Sequence, residues 1–339
     1  MTGAPDAAHP RTLLRRRSLL SGGALTVAGA AATVAVSAAV PAAAASSAAP
    51  AGVSAVYAQY VRRETRLRLW TRREGHRWIR YDLQRFTATG ISLDAWRLQE
   101  VFAVDLSADV PGPGVVETNP ARLATPANYE YALSLQGESH IGGMHGFELS
   151  RGSLVVLDGR AMPVDELPEY ASAAEFELAQ ENDLLSRGDR SVVGDLRVRH
   201  LVTSGGLRLR WSLTWRQART VANAYGAMLP ADKNAAVSTR CRFMGEAREH
   251  DLTVPGRPRA DAYGVQMYNR SNGLALSVEL TPDFQAGYAH ASGSGIWVKT
   301  DQPGYNKAYP TRVYPGQLED VAEGATWRLD ATYRFACPA

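Results

Sequence analysis

Lysine is almost missing from this chain of 339 residues: it occurs only at positions 233, 299 and 307, so nearly all positive charge is arginine. Cysteine occurs twice, at 241 and 337. That count excludes a zinc site made of cysteines and leaves at most one disulfide. An excess of one charge is also missing. The formal net charge is +3, but the residues up to Ala45 carry four arginines and one aspartate. The rest of the chain holds 33 basic and 33 acidic residues. It therefore lacks the long-range attraction that nucleic acid or an anionic membrane surface requires. No Gly-x-Ser-x-Gly elbow, phosphate-binding loop or dinucleotide fingerprint is present, which removes the usual serine hydrolases and nucleotide enzymes. No repeat recurs at a period of about 20–50 residues, which disfavours a propeller or solenoid.

What is present begins with the first 45 residues. Arg15-Arg16-Arg17 precede Ser18-Leu19-Leu20, an uncharged Ala- and Val-rich run, and then Pro41 and Ala42 to Ala45. A basic head, an apolar middle and a small-residue end are the parts of an export signal. Arg16-Arg17-Ser18-Leu19-Leu20 resembles a bacterial twin-arginine signal, which implies the twin-arginine export machinery as a partner and a secreted, extracellular product. The alternative is an uncleaved membrane anchor. Residues 46–53 read as a linker and 54–339 as one domain. Cys241 and Cys337 both lie in the exported part, where they either pair or remain two buried thiols.

Along this domain the dominant period is two. Leu207, Leu209, Trp211, Leu213 and Trp215 alternate with Arg208, Arg210, Ser212, Thr214 and Arg216. Similar patterns fill 128–136, 196–203, 262–270, 274–281 and 327–335. Asp158-Gly159, Ser204-Gly205-Gly206 and Ser271-Asn272-Gly273 supply hairpin turns. Residues 56–72 and 165–182 have room for short helices, and Pro-rich stretches at 110–126 and 303–315 read as long connections. The pattern predicts an all-β antiparallel β-sandwich or jelly roll.

Chemistry concentrates in Gln136-Gly137-Glu138-Ser139-His140-Ile141-Gly142-Gly143-Met144-His145-Gly146-Phe147-Glu148. Glycines let backbone bend sharply and let a ligand approach, while histidine moves protons near neutral pH. His140 and His145 are candidate catalytic groups, with Tyr225 and Tyr268 as candidate acids. A metal would take His140, His145 and Glu148; otherwise no cofactor is expected beyond a structural cation. His200 shares its face with Leu196, Val198 and Val202 and reads as a core histidine. Candidate substrate contacts are Arg208, Arg210 and Arg216, then Gln266 and Arg270, then Glu148, Lys299 and Tyr305. Arginine forks grip carboxylates or sulfates, and Tyr and Trp stack on sugar rings. The segment from Trp297 through Lys307, Tyr309 and Tyr314 is aromatic and polar together.

This combination of a His-bearing glycine-rich loop with Arg- and Tyr-lined strands resembles the sandwich-fold polysaccharide lyases in layout and residue types. The resemblance implies β-elimination on a uronate-containing, anionic polysaccharide or oligosaccharide. In it His145 or a Tyr removes a proton, and Tyr268 or Tyr225 protonates the leaving oxygen. Two other classes stay open. One is a non-catalytic carbohydrate-binding or cell-surface sandwich. The other is a metal-dependent or glycoside hydrolase, for which Glu138, Glu148, Glu177, Glu181 and Glu279 are candidate carboxylates.

Overall fold

Alternation of apolar and polar side chains builds nearly every element. The computed structural model describes residues 55–73, 77–126, 130–233, 237–281 and 295–336. The strands begin with β1 (Val56–Val61), β2 (Arg66–Arg72), β3 (Arg77–Ala88), β4 (Leu93–Leu106) and β5 (Glu117–Ala124), each antiparallel to the one before. Next come β6 (Glu130–Leu135), β7 (His140–Ile141), β8 (Glu148–Leu157), β9 (Arg160–Pro163) and β10 (Tyr170–Ala173). A second antiparallel run follows as β11 (Phe176–Leu185), β12 (Val192–Thr203) and β13 (Gly206–Trp215). The long β14 (Arg219–Asp232) precedes the short β15 (Arg240–Phe243), β16 (Glu249–Asp251) and β17 (Arg259–Ala260). Two hairpins, β18 (Gly264–Tyr268) with β19 (Ala275–Leu280) and β20 (Gly295–Lys299) with β21 (Tyr305–Val313), precede β22 (Glu319–Val321) and β23 (Thr326–Ala336).

Pairing sorts these strands into two layers. The first runs β10-β1-β2-β3-β4-β5-β14-β21-β20-β17, with β6 also beside β14. The second runs β9-β8-β11-β12-β13-β23-β19-β18-β15-β16. A short parallel contact between Leu93–Asp94 and Glu148–Leu149 joins them. Their inner faces share one core. Leu67, Tyr81, Val101 and Leu133 come from the first layer, and Leu178, Val198, Leu213 and Tyr333 from the second. The fold is the all-β sandwich that the alternation predicts.

Two local expectations change. Residues 56–72 and 165–182 hold strands β1, β2, β10 and most of β11, with 3-10 turns only at Arg62–Glu64 and Val164–Glu166. Val56, Ala58, Tyr60, Leu67 and Leu69 bury at period two, and the cross-strand partners take the backbone hydrogen bonds that a helix would keep internal. The Pro-rich stretches carry β5 and β21. Cys241 is fully buried in β15, and burial pushes its thiol up to about 12. Cys337, His76, His290 and the segments 1–45 and 46–53 lie outside the described residues.

The core contains an ionic network. Arg97 on β4 is buried between Glu148 on β8 and Glu130 on β6. Glu148 also accepts hydrogen bonds from the Tyr131 hydroxyl (2.6 Å) and the Asn182 amide. Glu130 accepts the Leu98 backbone N–H (3.0 Å) and pairs with His200 at 2.6 Å. His200 is thus a core histidine, paired through Nε2. Burial alone would raise the Glu130 pKa, but His200 and Arg97 outweigh it and hold the carboxyl below its ordinary value. Its stabilising contribution is therefore present above the unfolded carboxylate pKa and is lost as pH falls through the lower folded value. Replacing Arg97 strands two buried carboxylates. The variant Arg97→Met is expected to lose about 3–5 kcal/mol of stability, read from urea unfolding at neutral pH. A loss under about 1 kcal/mol would show that the network is not held by this guanidinium.

Candidate active site

The glycine-rich segment leaves β6, forms β7, turns once at Gly143–His145 and enters β8. Its path is fixed by backbone. Gly142 N–H bonds to the Gly146 carbonyl (2.8 Å), and Phe147 N–H bonds to Ile91 (2.7 Å). Gly146 has φ +80°, and a Cβ there would lie 2.3 Å from the Ile91 carbonyl oxygen. Only glycine fits that combination of backbone angle and space. The turn lifts His145 to the surface while Phe147 and Glu148, two and three residues later, enter the core.

The histidines stand on the outer face of the first layer, away from the shared core. His140 stacks on His145 with ring centroids 5.0 Å apart and on Tyr225 of β14 at 5.8 Å. Tyr225 meets Tyr309 at 5.1 Å and Trp297 at 6.2 Å. Trp297 and Tyr309 lie parallel, 4.2 Å apart, because their positions are directly paired on β20 and β21. Tyr314 closes the group at 6.3 Å from Trp297. With Ala132 and Met228 these rings make a second apolar cluster separate from the core.

Cations surround the rings. The Lys307 ammonium lies 5.0 Å from the centre of Tyr309, Arg257 covers Trp297 at 5.6 Å, and Arg259 covers Tyr314 at 4.2 Å. Lys307 is nearly buried, and burial, with Lys299 beside it, brings its pKa down to about 7. His140 is held below its ordinary value by burial and Lys307, partly opposed by a hydrogen bond with Asn223. His145 is also lowered, by desolvation first and then by His140, Lys307 and Arg187. Its edge stays open to solvent, so the imidazole is a neutral, accessible base at pH 7. Burial raises Tyr225 to about 12 and keeps its phenol protonated.

The candidates named from sequence divide by layer. His140, His145 and Tyr225 come together here, and Lys299 and Tyr305 share the same sheet face, Lys299 beside Asp301 at 3.4 Å. Tyr268, Gln266 and Arg270 belong to the second layer, where Arg270 pairs with Glu249 and Tyr268 also bonds to it. Arg208 and Arg210 share Asp330 at 2.6 and 3.0 Å, and Arg216 holds Asp195 through bonds of 2.6 and 2.8 Å. Neighbouring strands supply these carboxylates, Asp330 directly opposite Arg210 on β23 and Asp195 on β12, so these arginines are already paired. Glu148 is committed to the core network and does not join the two histidines. Among the described residues, no group of three His, Cys, Asp or Glu side chains is placed to hold a metal. Glu177, Glu181 and Glu279 pair with Arg199, Arg197 and Arg334 on the second layer. Sequence reasoning missed Asn223, Arg187, Arg257 and Arg259, because isolated polar residues carry no pattern until strands bring them together.

No protein-family model and no curated protein sequence matches the chain. Among solved structures, it is similar to an α-galactosidase of glycoside hydrolase family 36 from Geobacillus stearothermophilus, with 10% identity and a TM-score of 0.46. That match covers 83% of this chain and 41% of the enzyme. An α-galactosidase from Lactobacillus brevis matches with 12% identity and a TM-score of 0.40, over 84% of this chain and 39% of that one. The chain therefore spans about two fifths of the length of these structures.

Two measurements address the site. In a proton NMR titration, His145 and His140 are expected to titrate below the ordinary value of 6.5; midpoints at or above it would contradict the desolvated, cation-flanked geometry. The variant Gly146→Ala is expected to be less stable by more than about 1 kcal/mol and to shift the His145 ring resonances, whereas unchanged resonances would mean that the turn does not position His145.

Proposed function

We propose that this protein is an exported carbohydrate-active enzyme that cleaves a uronate-containing glycan by β-elimination at the His140–His145–Tyr225 cluster. The observation that carries the reading is that an accessible imidazole, His145, and a protonated phenol, Tyr225, both stack on His140, beside a nearly buried lysine and the stacked Trp297–Tyr309 pair. Trp297 is buried and backs Tyr309, so the half-buried rings of Tyr309 and Tyr314 are the ones to meet the apolar side of a sugar. The cationic rim of Lys307, Lys299, Arg187, Arg257 and Arg259 suits its carboxylate.

The chemistry follows from charge. His145 takes the proton beside the uronate carboxyl group, and negative charge then builds on that carboxyl. Lys307, half-neutral when the site is empty, gains its proton when an anion arrives and stabilises the charge where it develops. Tyr225 gives its proton to the leaving glycosidic oxygen, so the ring gains a double bond and the chain breaks. Since His145 must be unprotonated and Lys307 protonated, activity falls at acid pH below the ordinary histidine range and again at alkaline pH as the bound-state Lys307 loses its proton.

A second reading has its own support. His140 is stacked on His145 and on Tyr225 with interplanar angles of 26° and 19°, a continuous ring surface that would bind sugar without moving a proton. Activity on a panel of polyuronates, followed by absorbance of the unsaturated product, separates the two. The wild-type protein is expected to form that product and His145→Ala to lose about 100-fold or more in turnover. Binding without product would favour the non-catalytic module, and product formed equally by His145→Ala would remove the role of that base.

A further inference from the structure

The outer face of the first layer carries another apolar cluster: Trp70, Trp78, Val104 and Leu106, with Tyr57, Phe102 and Val115 packed on it. A cavity of about 220 Å³ opens there, lined by Gln59, Arg68, Trp70, Glu117 and Tyr170 over an apolar floor that includes Leu106 and Val115. It is smaller than the roughly 300 Å³ of ordinary small-molecule pockets, so its occupant is a single ring or less. Its polar groups are already oriented. Gln59 donates to the Tyr170 hydroxyl at 2.8 Å, which leaves the Tyr170 proton free to be given elsewhere. Trp70 Nε1 donates to Glu117 at 2.8 Å, and Arg80 pairs with the same carboxylate. Arg68 differs: its Nε is buried without a hydrogen-bond partner, and its ion pair with Glu64 is long, at 3.9 Å. The Arg68 side chain is still 30% exposed, so its guanidinium can also take a carboxylate that a ligand supplies.

This cavity and the histidine cluster share one sheet face. From β2 to β21 there are five strand steps, roughly 24 Å at the usual spacing. The strip between them is ion-paired within itself. Arg122 joins Glu100 (3.1 Å) to Asp232, and Arg80 lies 2.9 Å from Asp82. We infer that the Arg68–Tyr170 cavity is a second sugar subsite, which takes one acidic residue of a glycan chain whose cleavage point lies at His145. The inference rests on the proposed function and deepens it: the substrate is a polymer long enough to cross the strip, and the enzyme binds within the chain.

Calorimetric titration of the full-length protein tests this, using a disaccharide and an octasaccharide of whichever polyuronate in the panel binds best. Arg68→Gln is expected to weaken octasaccharide binding about tenfold or more and to move disaccharide binding much less. Tyr170→Phe, which keeps the ring and removes the hydroxyl, is expected to act in the same direction. Trp297→Ala is expected to weaken both ligands. Unchanged octasaccharide affinity in both Arg68→Gln and Tyr170→Phe would overturn the second subsite while leaving the histidine site intact, as would an equal loss for both ligands. If the wild-type protein binds no polyuronate at all, the proposed function falls and the subsite falls with it.

Discussion

The guanidinium of Arg97, held between Glu148 and Glu130, is the constraint on which both the sandwich and its candidate site depend. Burying an ion pair gains little against a hydrophobic replacement, but breaking one is expensive. The network therefore acts on arrangement more than on total stability. It ties β4 and β6 of one layer to β8, β11 and β12 of the other through hydrogen bonds that only one register satisfies. Glu148 is three residues after His145. When its carboxylate is fixed in the core, the Gly146 turn has one way out, and His145 stands on the outer face beside His140.

The two outer faces differ in how they handle charge. On the second layer, Arg208, Arg210 and Arg216 each meet an aspartate on a neighbouring strand, so their charges are already paired. Such pairs gain little at the surface but leave no charge seeking a partner. The first layer instead presents two aromatic clusters with a self-paired strip between them, and Lys307, Arg257 and Arg259 stand over rings of the second cluster. A cation over a ring retains its charge for an incoming anion.

Much of this was legible beforehand. The alternation in 206–216 and 326–336 marked strands because a half-buried sheet needs period two, and the turns at Asp158-Gly159 and Ser271-Asn272-Gly273 marked hairpins by their conformational demands. His140, His145 and the aromatic run from Trp297 to Tyr314 stood out because they are chemically unusual within a short stretch. Glu148 and Arg208 could not be placed in the same way. One is a carboxylate next to a glycine-rich turn and the other an arginine opposite an apolar face, and both patterns are compatible with a site. Their partners, Arg97 and Asp330, are 51 and 122 residues away.

Local pattern alone marked the strands of clear alternation, their inward and outward faces, the hairpins and the near absence of net charge beyond Ala45, because each depends on neighbours in the chain; β1, β2, β5, β10, β11 and β21 emerged only in the fold. Tertiary structure decided which charges are spent and which remain available. It brought Tyr225, Asn223, Trp297 and Lys307 to the two histidines and sent Glu148 into the core. The physical reason is that electrostatics and ring stacking act over a few ångströms of space, and in a sandwich those ångströms separate residues from distant parts of the chain.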